Sequence, residues 1–193
     1  PETEVIVFDT DPKKCEPIGI TMHDLLETQL LFICVPTPMK KNGECFLSIV
    51  ENVISSLHDM NYTGFIIVRS TVPVGTCDRL SCFFSPEFLT EKNYKKDFVE
   101  NQDWIFGYPK NIADEKKQLF IIFIKGLLNK AVKYNAIVSE NAIFVQNTEA
   151  EMVKLMKNCF LATKIAFCNE VYEYCNHFGI EYENVRQLVT LDN

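Results

Sequence analysis

The chain has 193 residues, 47% of them hydrophobic and 23% charged, which is enough to bury a core as one large or two small domains without disulfide or metal staples. A formal net charge of −7 excludes a large basic footprint for nucleic acid, and Lys92, Lys95 and Lys96 around Tyr94 read as a solvated loop. No signal peptide and no apolar run of about 18 residues occurs, so neither export nor a membrane span is expected.

In chain order, Glu4 to Phe8 is a β-branched run that predicts a buried strand, followed by a polar turn from Asp9 to Pro12. Leu30 to Val35 is a second strand, stopped by Pro36 and Pro38. After a turn at Asn42 and Gly43, Phe46, Ile49, Val50, Val53, Ile54 and Leu57 fall at helical spacing. Gly64 to Val68 is a third strand that ends near Pro73 and Gly75. Short strands are expected at residues 82–84, 104–106 and 142–145, with a helix over 112–133 between the last two. The connection from Thr76 to Cys82 is short, because parallel strands need a crossover of about a dozen residues.

The chain then changes character. Thr148 followed by Glu151 reads as a capping box opening a helix of about 29 residues, roughly 44 Å long. No glycine or proline interrupts it before Gly179. Ala150, Val153, Met156, Leu161, Ile165 and Val171 form its apolar surface, and Cys159, Cys168 and Cys175 read as packed thiols. A helix apolar on more than one side serves as a spine between domains or as a dimer contact. The pattern as a whole predicts an α/β fold: a Rossmann-like, mostly parallel sheet with helices on both faces, then a long central helix, with a boundary between residues 147 and 148.

Such sheets bind ligands beyond the carboxyl ends of their strands. Asp9 ends a strand, where a carboxylate accepts from a ribose diol or merely makes a turn, and Lys14 follows it. Ser70 and Thr71 are hydroxyls at another strand end, suited to orienting a cofactor or a water, or to turn chemistry alone. Glu87 and Glu91 are four apart; if their segment turns helically, both carboxylates share one side and one is a candidate acid or base, surface glutamates being the alternative. Lys154 and Asn158 are also four apart on the long helix, where they stabilise a developing oxyanion or form a plain polar face. His23, His58 and His177 have no nucleophile at a recognisable spacing. Eight cysteines without a CxxC pair, the nearest two being Cys77 and Cys82, predict free thiols in a reducing, cytoplasmic setting and no metal site. Seven glycines, no two closer than eleven residues, exclude a GxGxxG loop within the chain.

Four segments occur in order: Phe32–Pro38 (FICVPTP), Arg69–Thr76 (RSTVPVGT), Ser85–Glu91 (SPEFLTE) and Thr148–Asn158 (TEAEMVKLMKN). Together they closely resemble the UDP-glucose/GDP-mannose dehydrogenase family, and the resemblance runs nearly end to end. It implies an NAD-binding domain over 1–147 and a central, dimerising domain over 148–193. It implies NAD as cofactor, a nucleotide sugar as substrate with UDP-glucose first, a homodimer, and oxidation of a primary alcohol twice to the carboxylate. By the same resemblance Asp9 and Lys14 bind the adenosine ribose side, while Thr37, Ser70 and Thr71 line the cofactor groove. Glu87 is the acid/base carboxylate, Thr71 holds the water, and Glu91 approaches the nicotinamide end. Phe88 and Leu89 contact the sugar nucleotide, and Lys154 and Asn158 stabilise oxyanions. The family's opening strand and Gly-rich pyrophosphate turn would precede Pro1, and its Gly-Gly-x-Cys-Phe-Pro-Lys-Asp loop would begin past Asn193. The alternatives are a non-catalytic relative that dimerises or binds nucleotide, and a dinucleotide-binding module of another dehydrogenase family.

Overall fold

In the computed structural model, which describes residues 3–190, the apolar runs become five strands. They are β1 (Leu30–Ile33), β2 (Phe65–Val68), β3 (Phe83–Phe84), β4 (Trp104–Tyr108) and β5 (Ala142–Gln146). The helices are α1 (Ser48–Asp59), α2 (Thr76–Arg79), α3 (Tyr94–Val99), α4 (Asp114–Lys133), α5 (Asn147–Phe178) and α6 (Tyr182–Val189). The strands form one sheet in the order β1-β2-β3-β4-β5. The first three run parallel, β4 and β5 run parallel, and the two groups meet antiparallel at Phe84 and Gly107. The fold is the expected Rossmann-like, mostly parallel sheet with helices.

Side chains alternate across β2, and that alternation makes two cores. Ile66 and Val68 enter one core with Val50, Ile54 and Leu57 of α1. Ile67 enters the other with Phe83, Trp104, Phe106 and the α4 residues Phe120, Ile124 and Leu128. Phe120 is fully buried and stacks on Phe83 at 3.8 Å between ring centroids, with Phe65 edge-on at 5.3 Å.

The connection from β2 to β3 spans residues 69–82 and contains a single helical turn, α2, so the short crossover is made without a full helix. Helix α5 begins at Asn147, and the capping box expected of Thr148 and Glu151 is not formed. Glu149 instead reaches back to the Gln146 N–H at 2.8 Å. Glu151, fully buried, accepts from the N–H groups of Gly75 at 2.6 Å and Cys77 at 2.8 Å. Asn147, four residues earlier and also fully buried, donates to Asp78 Oδ1 at 3.0 Å and to the Cys82 carbonyl at 2.9 Å. The start of α5 lies so close to β4 that a Cβ on Gly107 would stand 2.9 Å from the Asn147 Cα.

Glu4 to Phe8 does not form the expected strand. Val7 makes an isolated antiparallel bridge with Glu16, Val5 is 74% exposed, and Ile6 packs against the first core. A five-residue run without a ladder beside it has nothing to pair its remaining backbone groups. Lys92 to Lys96, expected as loop, runs partly into α3.

The chain divides into two compact units, Pro1–Lys154 and Leu155–Asn193. In the second, α5 ends where Gly179 takes φ of 65°, and Tyr172 meets Tyr182 of α6 edge-on at 5.4 Å. Cys175 is buried as expected, whereas Cys159 and Cys168 are exposed rather than packed. Phe160, Leu161, Ile165 and Phe167 are exposed as well.

Replacing Glu151 by Ala orphans two N–H groups of the crossover and should lower stability by about 3 kcal/mol. Gly107→Ala should cost about 1–3 kcal/mol by forcing α5 away from β4. Urea unfolding measures both, and wild-type stability in either variant would contradict the described packing.

Candidate functional site

The site is built from the loops that leave β1, β2 and β3 at their carboxyl ends. Sheet-like hydrogen bonds continue past the strands, with Arg69 N–H donating to the Ile33 carbonyl and Ser85 N–H to the Val68 carbonyl, both at 2.9 Å. The first two loops are latched crosswise. The buried Ser70 hydroxyl donates to the Val35 carbonyl at 2.6 Å, and the Thr37 hydroxyl donates to the Thr71 carbonyl at 2.7 Å. Their oxygens keep lone pairs free to accept. Thr71 is half-buried beside them.

After β3 the chain runs through buried Ser85 and Pro86 into an irregular segment. It does not turn helically, so Glu87 and Glu91 do not share a side as a helix would arrange: Glu87 is half-buried, and Glu91 is exposed on the turn beyond Thr90. Thr90 is tied down by Asp97, whose Oδ2 accepts from its N–H at 2.9 Å and its hydroxyl at 2.6 Å. Lys154 of α5 donates from Nζ to the backbone carbonyl of Glu87 and lies 5.4 Å over the Phe88 ring. The Glu87 carboxylate stands 3.7 Å from Arg69 Nη2. A cleft lined by Arg69, Glu87, Phe88, Leu89, Phe98 and Trp104 opens here.

The fold therefore brings together Thr37, Ser70 and Thr71 on one rim, and Glu87, Phe88 and Leu89 around one cleft, with Lys154 joined to the Glu87 carbonyl and the Phe88 ring. Asp9 and Lys14 belong to a separate turn, where Asp9 Oδ1 accepts the Asp11 N–H at 2.8 Å and Lys14 is exposed. Asn158 belongs to the second unit and is exposed.

Residues 18–124 match the UDP-glucose/GDP-mannose dehydrogenase family, NAD binding domain, and residues 148–193 match the central domain of the same family. The chain belongs to the UDP-glucose/GDP-mannose dehydrogenase family. Its members are NAD-dependent nucleotide-sugar dehydrogenases, and the cofactor of the matched domain is NAD. A UDP-glucose 6-dehydrogenase of Rickettsia bellii is 30% identical over 99% of this chain and 45% of its own length. A UDP-N-acetyl-D-mannosamine dehydrogenase of Methanococcus aeolicus is 31% identical over 86% of this chain and 38% of its own. The chain thus spans less than half the length of these relatives. Among solved structures, a UDP-glucose dehydrogenase from Pyrobaculum islandicum superimposes with a TM-score of 0.71 at 27% identity, over 88% of this chain and 40% of that one. A ternary complex of GDP-mannose dehydrogenase from Pseudomonas aeruginosa shares the fold, with a TM-score of 0.69 at 23% identity over 86% and 40% of the two chains.

The residues of the rim fit a dinucleotide on their own chemistry. Two latched loops at adjoining strand ends present hydroxyl oxygens with accepting capacity. Among the described residues no helix is long and apolar enough to cross a membrane.

Sequence reasoning gave no role to Arg69, Cys34 or Asp97. Arg69 is a cation directly before the Ser-Thr pair, and its side chain is only 14% exposed. Desolvation pushes the Cys34 thiol up, the Arg69 charge opposes that, and the Glu87 charge adds to it. Asp97 belongs to none of the four motif segments, and only its place shortly after the Thr90 turn hints at a tether.

The Thr90 hydroxyl first, and its N–H second, hold the Asp97 carboxyl below the ordinary value of 3.8. A carboxyl with a depressed folded value keeps its contact above 3.8 and loses it as the pH falls through the folded value. The Thr90 amide resonance should therefore stay constant from neutral pH down to that range and move below it. In Asp97→Ala the acid titration should vanish; a Thr90 resonance indifferent to both changes would remove the tether.

Proposed function

We propose that this chain carries the cofactor side and central helix of an NAD-dependent UDP-glucose 6-dehydrogenase, which oxidises the C6 alcohol of UDP-glucose in two steps to the carboxylate. The observation that carries this reading is the contact between Lys154 and Glu87, which joins the two motif segments that the chemistry needs. Residues 1–147 serve as the NAD-binding domain and 148–193 as the central one. UDP-glucose is preferred because several of the matched relatives bear that name, including those from Rickettsia bellii and Pseudomonas aeruginosa.

Bound NAD supplies the hydride acceptor. Asp9 and Lys14 hold its adenosine ribose side, Thr37, Ser70 and Thr71 line its groove, and Glu91 reaches its nicotinamide end. Glu87 takes the alcohol proton at its carboxylate, directly or through a water held by the Thr71 hydroxyl. The Lys154 ammonium faces the substrate oxygen that gains negative charge, and the family resemblance assigns oxyanion stabilisation to the Asn158 amide as well. A cation in a partly desolvated cleft stabilises such an oxygen more than it would in water. Phe88 and Leu89 pack against the sugar nucleotide and help exclude water. The exposed apolar side chains of α5 support assembly as a homodimer, and the free cysteines support a reducing, cytoplasmic setting.

The assay is NADH formation by the full-length protein with UDP-glucose, GDP-mannose and UDP-N-acetylmannosamine in parallel. Glu87→Gln should slow the reaction about 10²–10⁴-fold. Lys154→Ala should slow it about 10²–10³-fold with a melting temperature close to that of the wild type. Unchanged rates in both variants would sink the catalytic assignment and favour a non-catalytic nucleotide-binding relative. Ile165→Asp, on the exposed α5 surface, should convert a dimer to a monomer in light scattering; a wild-type monomer would refute the assembly.

A further inference from the structure

The Arg69 guanidinium has unused donors in a buried place. Its side chain is 14% exposed, and its Nε is buried without an acceptor. Phe32 and Phe98 each lie 5.9 Å from its central carbon, measured to the ring centroid, which restrains the guanidinium plane by cation–π contact. Nε and Nη2 form one edge of the guanidinium fork. The Glu87 carboxylate faces Nη2 from 3.7 Å, just outside hydrogen-bond reach.

A buried N–H without an acceptor is destabilising, and a carboxylate is the partner that the Nε–Nη2 edge fits best. The Glu87 backbone is already fixed by Lys154 at its carbonyl. What remains free is the Glu87 side chain, 42% exposed and able to swing between solvent and the fork. A ligand that fills the cleft removes the competing water and strengthens the attraction between the two charges.

We propose that Arg69 is the positioning residue for Glu87: when the cleft is occupied, its Nε and Nη2 take the Glu87 carboxylate as a two-point contact and set where that carboxylate stands. The proposal rests on the reading of Glu87 as the acid/base group. Arg69 acts through Glu87 and does not itself touch the reacting atoms. Lysine lacks the fork, so it would keep the charge and lose the orientation.

The test compares crystal structures of the full-length protein and its Arg69→Met variant with NADH and UDP-glucose both bound, so that the cleft is filled. Methionine reaches a similar distance and packs between the same two rings, so the fold is expected to persist with a similar melting temperature. In the wild type the Glu87 carboxylate should lie about 3 Å from both Nε and Nη2. In Arg69→Met it should swing away. Single-turnover hydride transfer should fall about 10–100-fold in Arg69→Met, with Arg69→Lys recovering only part of the loss. NAD affinity, measured by calorimetry, should change by less than about twofold. A Glu87 carboxylate in the same place with and without Arg69 overturns the proposal, as does a rate loss matched by the loss of NAD affinity. A carboxylate that swings as expected in a protein that transfers no hydride upholds the positioning and overturns the acid/base reading instead. An active wild type whose carboxylate never meets Arg69 overturns the positioning alone.

Discussion

A buried carboxylate sets the geometry of the first unit. Glu151 has no exposure, and a polar group out of water needs the hydrogen bonds it can accept. It obtains them from the backbone of the β2–β3 connection, at Gly75 and Cys77. Gly75 takes φ of 88°, a conformation that glycine adopts readily, so the chain can turn both N–H groups toward one carboxylate. Asn147, one turn earlier on α5, grips Asp78 and the end of the same connection at Cys82. Two attachment points four residues apart fix both the height and the rotation of the start of α5. Lys154, three residues beyond Glu151, is thereby delivered to the carbonyl of Glu87.

The same arrangement explains how β2 and β3 run parallel with so little between them. A parallel pair normally has a crossover helix covering the sheet. Here the crossover helix is a single turn, and the missing cover comes from the start of α5. Ala150 is fully buried in the first core with Cys77, Cys82 and Phe84. Cys77 is accordingly a structural thiol. Its hydrogen bond with Cys82, burial, and the negative charges around it, Glu151 among them, all push its titration far upward, so it stays protonated. A reactive thiolate is therefore not available at this position.

What the sequence revealed follows the range of the interactions concerned. Strand runs at 30–35, 64–68 and 142–145, and the stripes of α1 and α4, are local patterns, and each became the expected element. The motif segments pointed to Glu87 and Lys154 as members of one family's site. Their meeting spans 67 positions, which no spacing rule reaches. Glu151 misled for the same reason. Three residues after Thr148 it looked like a local cap, yet its partners lie 76 and 74 positions away. Glu4 to Phe8 misled because a β-branched run says what a segment favours and not whether a neighbouring strand is there to pair with it. Cys159 and Cys168 looked like core residues because thiols usually are; the α5 surface they occupy is exposed in this chain.

The backbone carbonyl that Lys154 holds has a chemical consequence. A carbonyl is a neutral acceptor with no proton to exchange. By binding the backbone oxygen, Lys154 fixes where the irregular segment leaves β3, and the Glu87 side chain keeps its own rotation about that fixed point. Arg69 faces the carboxylate itself, at 3.7 Å and with 42% of the Glu87 side chain exposed. At that distance and exposure the attraction is screened. The Lys154 contact thus bears on the main chain of Glu87, and the Arg69 charge bears on its carboxylate. The main chain of a single glutamate is thus held in place while its side chain keeps the freedom to turn toward Arg69.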